Sequence, residues 1–127
     1  MKIVTWNAQG LSRSEKKGVV RRLVADHKSE IVFLQESKLK TLDHRMNRKL
    51  GGRCLNKFVL ANSISASSGL VCLWNENFCS LEVVKVGTRY VCLKGCIISK
   101  QFQCGFCNIY APNDESERKQ LWVTISR

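Results

Sequence analysis

The first 35 residues run in the order strand, amphipathic helix, strand, and that order restricts the fold more than any other feature of the chain. Ile3 to Trp6 is a short β-prone run. Apolar residues then recur at Val19, Val20, Leu23 and Val24 on one helical face, and Ser12-Arg13-Ser14-Glu15 ahead of them fits a capping box. The spacing predicts a helix over about 15–27. Arg21, Arg22, Asp26 and Lys28 fall on its remaining faces. Ile31-Val32-Phe33-Leu34 is apolar without a break and rich in β-branched residues, the texture of a strand covered on both faces. A strand, a crossover helix and a second strand close as a right-handed unit with the two strands parallel.

Thr41 to Leu50 reads as a second helix, ended by Gly51-Gly52. The texture then changes. Cys54 to Leu60, Leu70 to Trp74, Leu81 to Val86, Tyr90 to Ser99 and Gln103 to Tyr110 read as five successive strands, a β-meander after the strand–helix–strand opening. Turn-like segments separate them at Asn62 to Gly69, Asn75-Glu76-Asn77 and Gly87-Thr88. Pro112, the only proline, ends the last strand, and Asp114 to Ser126 reads as the start of a helix. The pattern stops there without a cap or a polar tail. The expectation is that residues 1–127 are the N-terminal part of a single larger domain.

No apolar run reaches the roughly 18 residues of a membrane span, and the N-terminus lacks the apolar stretch and small-residue cleavage site of a secretory signal. An intracellular location is expected, with nucleus and cytoplasm undistinguished. The chain carries 21 Lys and Arg against 10 Asp and Glu, a formal charge of +11. Such a surface attracts polyanions, of which nucleic acid is the commonest inside cells. Many of the positives, among them Lys16, Lys17, Arg21, Arg22, Arg45, Arg48, Lys49 and Arg53, precede residue 60. Solvated helix faces would account for some of them. The seven cysteines are an odd number with no secretory signal, which argues against a disulfide framework. Cys104-Gly105-Phe106-Cys107 has a CxxC spacing, but no second pair completes the four ligands of a structural zinc. Core packing is the favoured role for the thiols.

Three segments at strand ends carry candidate chemistry: Thr5 to Leu11, Phe33 to Lys38 and Cys107 to Asp114. Strand alternation puts Thr5 and Asn7 on one face of the first strand and Val32, Leu34 and Glu36 on one face of the second. With those strands adjacent and in register, Asn7 and Glu36 emerge side by side. A carboxylate with an amide oxygen is the hard-oxygen ligation that magnesium prefers, completed by water. Phe106, Asn108 and Tyr110 share a face of the last strand and place Tyr110 at its end. The blander alternatives are a turn role for Asn7, a solvated charge at Glu36 and a packed ring at Tyr110.

The ordered set Trp6-Asn7-x-x-Gly10-Leu11, Leu34-Gln35-Glu36-Ser37-Lys38 and Asn108-x-Tyr110-x-Pro112-Asn113 resembles the opening motifs of the endonuclease/exonuclease/phosphatase superfamily. Within it, the chain is most similar to the apurinic-like endonuclease domain of plant LINE-type retrotransposons. Ser68-Gly69-Leu70 leading into Leu73-Trp74, and Arg118 with Leu121-Trp122, carry that finer likeness. The resemblance spans essentially the whole chain. It implies an α/β (α+β) fold of two stacked β-sheets flanked by helices, here a truncated DNase I-like sandwich. It implies phosphodiester hydrolysis on nucleic acid, DNA foremost, with Mg2+ or Mn2+. By motif position, Glu36 matches the metal-binding glutamate, Asn7 the active-site asparagine near the metal, Tyr110 the tyrosine near the scissile phosphate, and Asn113 the asparagine that approaches the DNA backbone. Members acting on inositol phosphates or lipids share the architecture; the basic surface favours nucleic acid.

The chain also departs from the family. Gln9 stands where repair-type members carry an aspartate, which argues against a repair enzyme. The later Gly-Asp-x-Asn and Ser-Asp-His motifs do not occur in the 127 residues. Without their residues no general base is evident, and negligible nuclease activity is expected of this chain alone. Two other readings remain: a non-catalytic, basic, nucleic-acid-binding remnant, and a small zinc-stabilised domain using Cys104 and Cys107. A sandwich missing most of one sheet would expose an apolar face and a strand edge, favouring self-association through the exposed sheet.

Overall fold

Ile31–Gln35 (β2) is the central strand, as its unbroken apolar run requires. The computed structural model, which describes residues 1–61, 69–111 and Lys119, pairs β2 in parallel with Ile3–Asn7 (β1). On its other side β2 runs antiparallel to Leu70–Trp74 (β4), which in turn pairs with Lys57–Ala61 (β3). The strand order is β1-β2-β4-β3. Cys79–Val86 (β5), Tyr90–Ile97 (β6) and Phe102–Ile109 (β7) form a separate antiparallel sheet in the order β5-β6-β7. The architecture is the mixed α+β, two-sheet one expected, with one difference in connectivity. The five later strands are not a single meander: two complete the first sheet and three make the second. The chain changes sheet at Asn75, whose carbonyl accepts from Phe78 N and Cys79 N at 3.0 and 3.1 Å.

Two helices lie on one side of the four-stranded sheet, Ser14–His27 (α1) and His44–Gly51 (α2). The capping box expected at Ser12 does not form. Arg13 occupies the N-cap without a side-chain bond, and Glu15 alone meets the helix dipole. α2 starts three residues later than its apolar spacing suggests, because Asp43 caps it by accepting from Met46 N at 2.8 Å. It ends as expected at the glycine pair.

Alternation along β2 divides the core. Val32 and Leu34 face the helices and pack with Val20, Val24, Leu50, Val71 and Leu73. Ile31 and Phe33 face the second sheet and pack with Cys72, Trp74, Val91, Leu93 and Phe106. Phe33 meets Phe106 edge-on with ring centroids 6.3 Å apart. Each fully buried aliphatic side chain contributes about 1.5–3 kcal/mol against the exposed state. β1 is covered less well. Ile3, Thr5 and Asn7, on its face toward the second sheet, are all exposed, so the three-stranded sheet does not reach over that flank.

β6 ends at Ile97, two residues earlier than expected, and a short 3-10 turn over Ile98–Lys100 leads into β7. The helix expected over Asp114 to Ser126 lies outside the described residues, Lys119 excepted. No helix among the described residues is long and apolar enough to cross a membrane.

The cysteines settle the zinc question. Cys104 and Cys107 are three positions apart on one strand, and strand alternation sends them to opposite faces. Cys104 packs toward the inter-sheet core, whereas Cys107 is exposed on the outer face. One ion cannot take both. Cys72 and Cys79 are buried as the packing role requires, but Cys54 and Cys107 are exposed.

Candidate active site

The C-terminal ends of β1 and β2 are held together beyond the strands themselves. Ala8 N donates to Gln35 O at 2.9 Å, Gly10 N to Glu36 O at 2.7 Å and Leu11 N to Ser37 O at 2.8 Å. Ser37 N continues the ladder to Gly69 O at 3.0 Å, tying both loops to the start of β4. From α1, Lys16 Nζ donates to the carbonyls of Ala8 and Gln9 at 2.9 and 3.0 Å. These bonds hold Gln9 and Glu36 in the left-handed region, each at φ 51°. A non-glycine residue there costs about 1–3 kcal/mol and persists only where its surroundings enforce it.

That backbone state decides which way Glu36 points. The register sets Asn7 opposite Gln35, not Glu36. Strict alternation would send Glu36 to the helix side, with Leu34. The left-handed turn at Glu36 breaks the alternation, and Gln35 and Glu36 both line one cleft with Asn7. Sequence reasoning reached the right neighbourhood for Asn7 and Glu36 through the wrong register. The cleft measures about 340 Å³ and is lined by Asn7, Gln9, Gln35, Glu36, Ile109, Tyr110 and Ala111. Three of the four candidate site residues thus meet in it. Asn113 lies outside the described residues.

Polar order in the cleft centres on Gln35. Its Nε2 donates to Thr5 Oγ1 at 2.9 Å and to Asn108 Oδ1 at 2.8 Å. Asn108 is 1% exposed. Its Nδ2 donates to Val71 O at 3.0 Å and to Leu34 O at 3.3 Å, across the sheet interface. Asn108 therefore locks β7 onto β2 and β4, which fixes the strand that carries Tyr110.

The Tyr110 phenol and the Glu36 carboxylate share this cleft. The carboxylate as a hydrogen-bond acceptor, with partial burial and the carboxylate's charge, raises the phenol's pKa above the usual 10.0, against an opposing pull from Arg89. The Arg89 guanidinium lies 5.7 Å from the centre of the Tyr110 ring, a cation–π contact. Asn7 has a structural duty as well: its Oδ1 accepts from Gln9 N at 3.1 Å, closing a turn toward Gly10. One carboxylate, one amide oxygen and water suit a hard cation such as magnesium. Among the described residues, no three His, Cys, Asp or Glu side chains gather in a group able to hold a metal. His27 closes α1, His44 opens α2, and neither lines the cleft.

Gln35, Asn108 and Arg89 were given no role from the sequence. For Asn108 a signal existed: an amide on the inward face of an otherwise apolar strand must be hydrogen-bonded if it is buried. For Arg89, at a hairpin, none did.

No family model and no curated protein matches the sequence. Solved structures do match the fold. The apurinic (AP) endonuclease LMAP from Leishmania major superposes with a TM-score of 0.64 at 18% identity, covering 87% of this chain and 40% of its own. The catalytic domain of APE2 from Xenopus laevis superposes with a TM-score of 0.59 at 18% identity, covering 97% of this chain and 49% of its own. This chain thus spans less than half the length of either. It has the α+β, two-sheet fold of these AP endonucleases, the endonuclease/exonuclease/phosphatase (DNase I-like) fold.

Proposed function

We propose that residues 1–127 are the N-terminal part of a nucleic-acid phosphodiesterase domain of endonuclease type, carrying its metal foothold and one phosphate contact. The meeting of Asn7, Glu36 and Tyr110 in one cleft, from three separate segments, carries this reading. Glu36 and Asn7 would hold Mg2+ or Mn2+. When bound, such an ion polarises a phosphate oxygen and lowers the pKa of a water. Tyr110, kept protonated beside Glu36, is in the form that donates to a phosphate oxygen. Gln35 and Asn108 position it. Asn113 would approach the backbone of a DNA substrate.

Among the described residues, no histidine and no carboxylate besides Glu36 lines the cleft, and residues that act as a unit lose nearly all activity when one is missing. The chain alone is therefore expected to be inactive. The likeness to the plant LINE-type endonuclease domain rests on the sequence, with Gln9 in place of the aspartate of repair members. Ser68, Arg118, Leu121 and Trp122, which carry part of it, lie outside the described residues. The uncovered flank of β1, with Ile3 at 39% exposure, supports self-association through the sheet.

The second reading is a non-catalytic basic module that binds nucleic acid, supported by the net charge of +11. Two measurements separate them. Mn2+ binding, followed by its paramagnetic effect on water relaxation, should be present in the parent and at least about tenfold weaker in Glu36→Gln. No Mn2+ binding by either protein would end the metal-site reading and leave the binding module. Magnesium-dependent nicking of supercoiled plasmid by the parent but not by Glu36→Gln would overturn the expected inactivity.

A further inference from the structure

Cys92 on β6 and Cys107 on β7 are direct cross-strand partners on the outer face of the three-stranded sheet. The phase of the ladder sets how close they stand. Tyr110 N donates to Arg89 O at 2.8 Å, so odd-numbered β6 residues make the hydrogen-bonded pairs with β7. Even-numbered Cys92 is then in a non-hydrogen-bonded pair, in which Cα atoms stand about 4.5 Å apart and side chains are at their closest. A disulfide requires roughly 4.4–6.8 Å between Cα atoms. The register therefore allows this bond without a shift of backbone.

The two thiols are paired across the ladder on this face. The Cys92 thiol is pushed up to about 11, by burial first and then by the neighbouring Cys107. Cys107 is exposed, and Gly105 beside it leaves a shallow groove of about 440 Å³ bordered by Val84, Cys92, Lys94 and Cys107. A small reagent can approach there. No other cross-strand partners in either described sheet are both cysteine.

We propose that Cys92 and Cys107 form a reversible cross-strand disulfide, closed by a low-molecular-weight disulfide of the glutathione class. The exposed Cys107 thiolate attacks one sulfur of the oxidant, whose S–S bond breaks and releases one thiolate. Cys92, losing its proton, then attacks the Cys107 sulfur and releases the second. Two protein thiols are oxidised, one small disulfide is reduced to two thiols, and the two protons pass to those leaving groups. Exposed disulfides are the readily reduced ones, so the bond opens again under a reducing poise. Its place gives it a consequence. Cys107 adjoins Asn108, so closure would pin to β6 the same strand that Asn108 clasps from the inner face.

The test uses the full chain. Reduced protein is equilibrated with glutathione disulfide in excess over glutathione, alkylated without denaturant, and mapped by peptide mass spectrometry. The expected result is a linked pair of peptides containing Cys92 and Cys107, two hydrogen masses below their sum, with Cys72 and Cys79 alkylated only after unfolding. Oxidation should raise the urea midpoint of the parent but not of Cys107→Ser, and Cys92→Ser should stop at a glutathione adduct on Cys107. A parent that stops at that adduct, keeps both thiols free, or links Cys92 to another cysteine would overturn the proposal.

Discussion

Asn108 Oδ1 accepts a hydrogen bond from Gln35 Nε2 at 2.8 Å, joining the two sheets through a polar contact beside the candidate active site. The same Gln35 Nε2 donates to Thr5 Oγ1, so three strands converge on one amide group. With its own Nδ2 bonded to the carbonyls of Val71 and Leu34, Asn108 has both ends of its amide occupied. A buried polar group placed this way specifies one docking of the sheets, because any other leaves it unpaired.

Replacing Asn108 by Ala removes these bonds and leaves buried carbonyls without their second partner. We predict a loss of about 2–3 kcal/mol, from a penalty of roughly 1–3 kcal/mol for each group left unsatisfied. Asn108→Asp should be worse at neutral pH, since a buried carboxylate would face the carbonyl oxygens of Val71 and Leu34, and the difference should shrink on acidification. Urea unfolding at two pH values measures both. A change under about 0.5 kcal/mol for Asn108→Ala, the range of ordinary surface substitutions, would refute the clasp.

The titration of Tyr110 should depend on Glu36. The phenol's pKa is raised in the folded chain, so the folded state binds that proton more tightly than the unfolded state does. The associated stability is present below the unfolded value and is lost as pH rises through the folded one. In Glu36→Gln the carboxylate charge is gone, and the Tyr110 transition should move down toward the ordinary tyrosine range. Tyrosinate absorbance, taken as the difference from Tyr110→Phe in each background, isolates that residue. Superimposable difference curves would show that the two side chains do not communicate.

Gly69 stands at φ 133°, a conformation side chains rarely adopt, and a Cβ there would sit 2.6 Å from Ser37 Oγ. Ser37 is fully buried and donates its N–H to Gly69 O, so it cannot retreat without loosening the Glu36 loop. Gly69→Ala should destabilise the fold by about 2 kcal/mol or more. Mn2+ binding should weaken alongside. Unchanged stability would mean that the loop has more room than its contacts imply.

Binding to DNA should follow counterion release. Arg45, Arg48 and Lys49 are exposed on α2, away from the cleft. Replacing all three by Gln should make the slope of log K against log salt shallower, by about 0.9 for each phosphate contact removed. Glu36→Gln should leave the slope as it is. Equal slopes for the triple variant and the parent would place the DNA contact elsewhere.

Much of the architecture was legible in the residues. β1, α1, β2 and β4 lie close to the bounds their apolar spacing sets, β4 matching at both ends, because each is a segment whose burial pattern is local and strong. The opposite faces of Cys104 and Cys107 follow from strand alternation, which the zinc alternative for that pair overlooks. Less legible was the start of α2, which an Asp43 cap fixed against the apolar pattern.

What the sequence determined alone was therefore the identity and order of the described strands and of α1 and α2, and the three segments from which the cleft is made. Local periodicity suffices for this, since each strand or helix reports its own buried face. The tertiary structure decided the rest. Which strands join which sheet depends on pairing between distant segments, and no alternation pattern encodes a partner. The register setting Asn7 against Gln35 is of that kind, as is the left-handed turn that brings Glu36 into the cleft, held by hydrogen bonds donated by residues 8, 10 and 11 and by the one Ser37 N donates to Gly69 O. Asn108 reads as one polar residue in an apolar strand until its partners on β2 and β4 are in place. Its role comes from three strands meeting where water is excluded and every polar atom must find a bond.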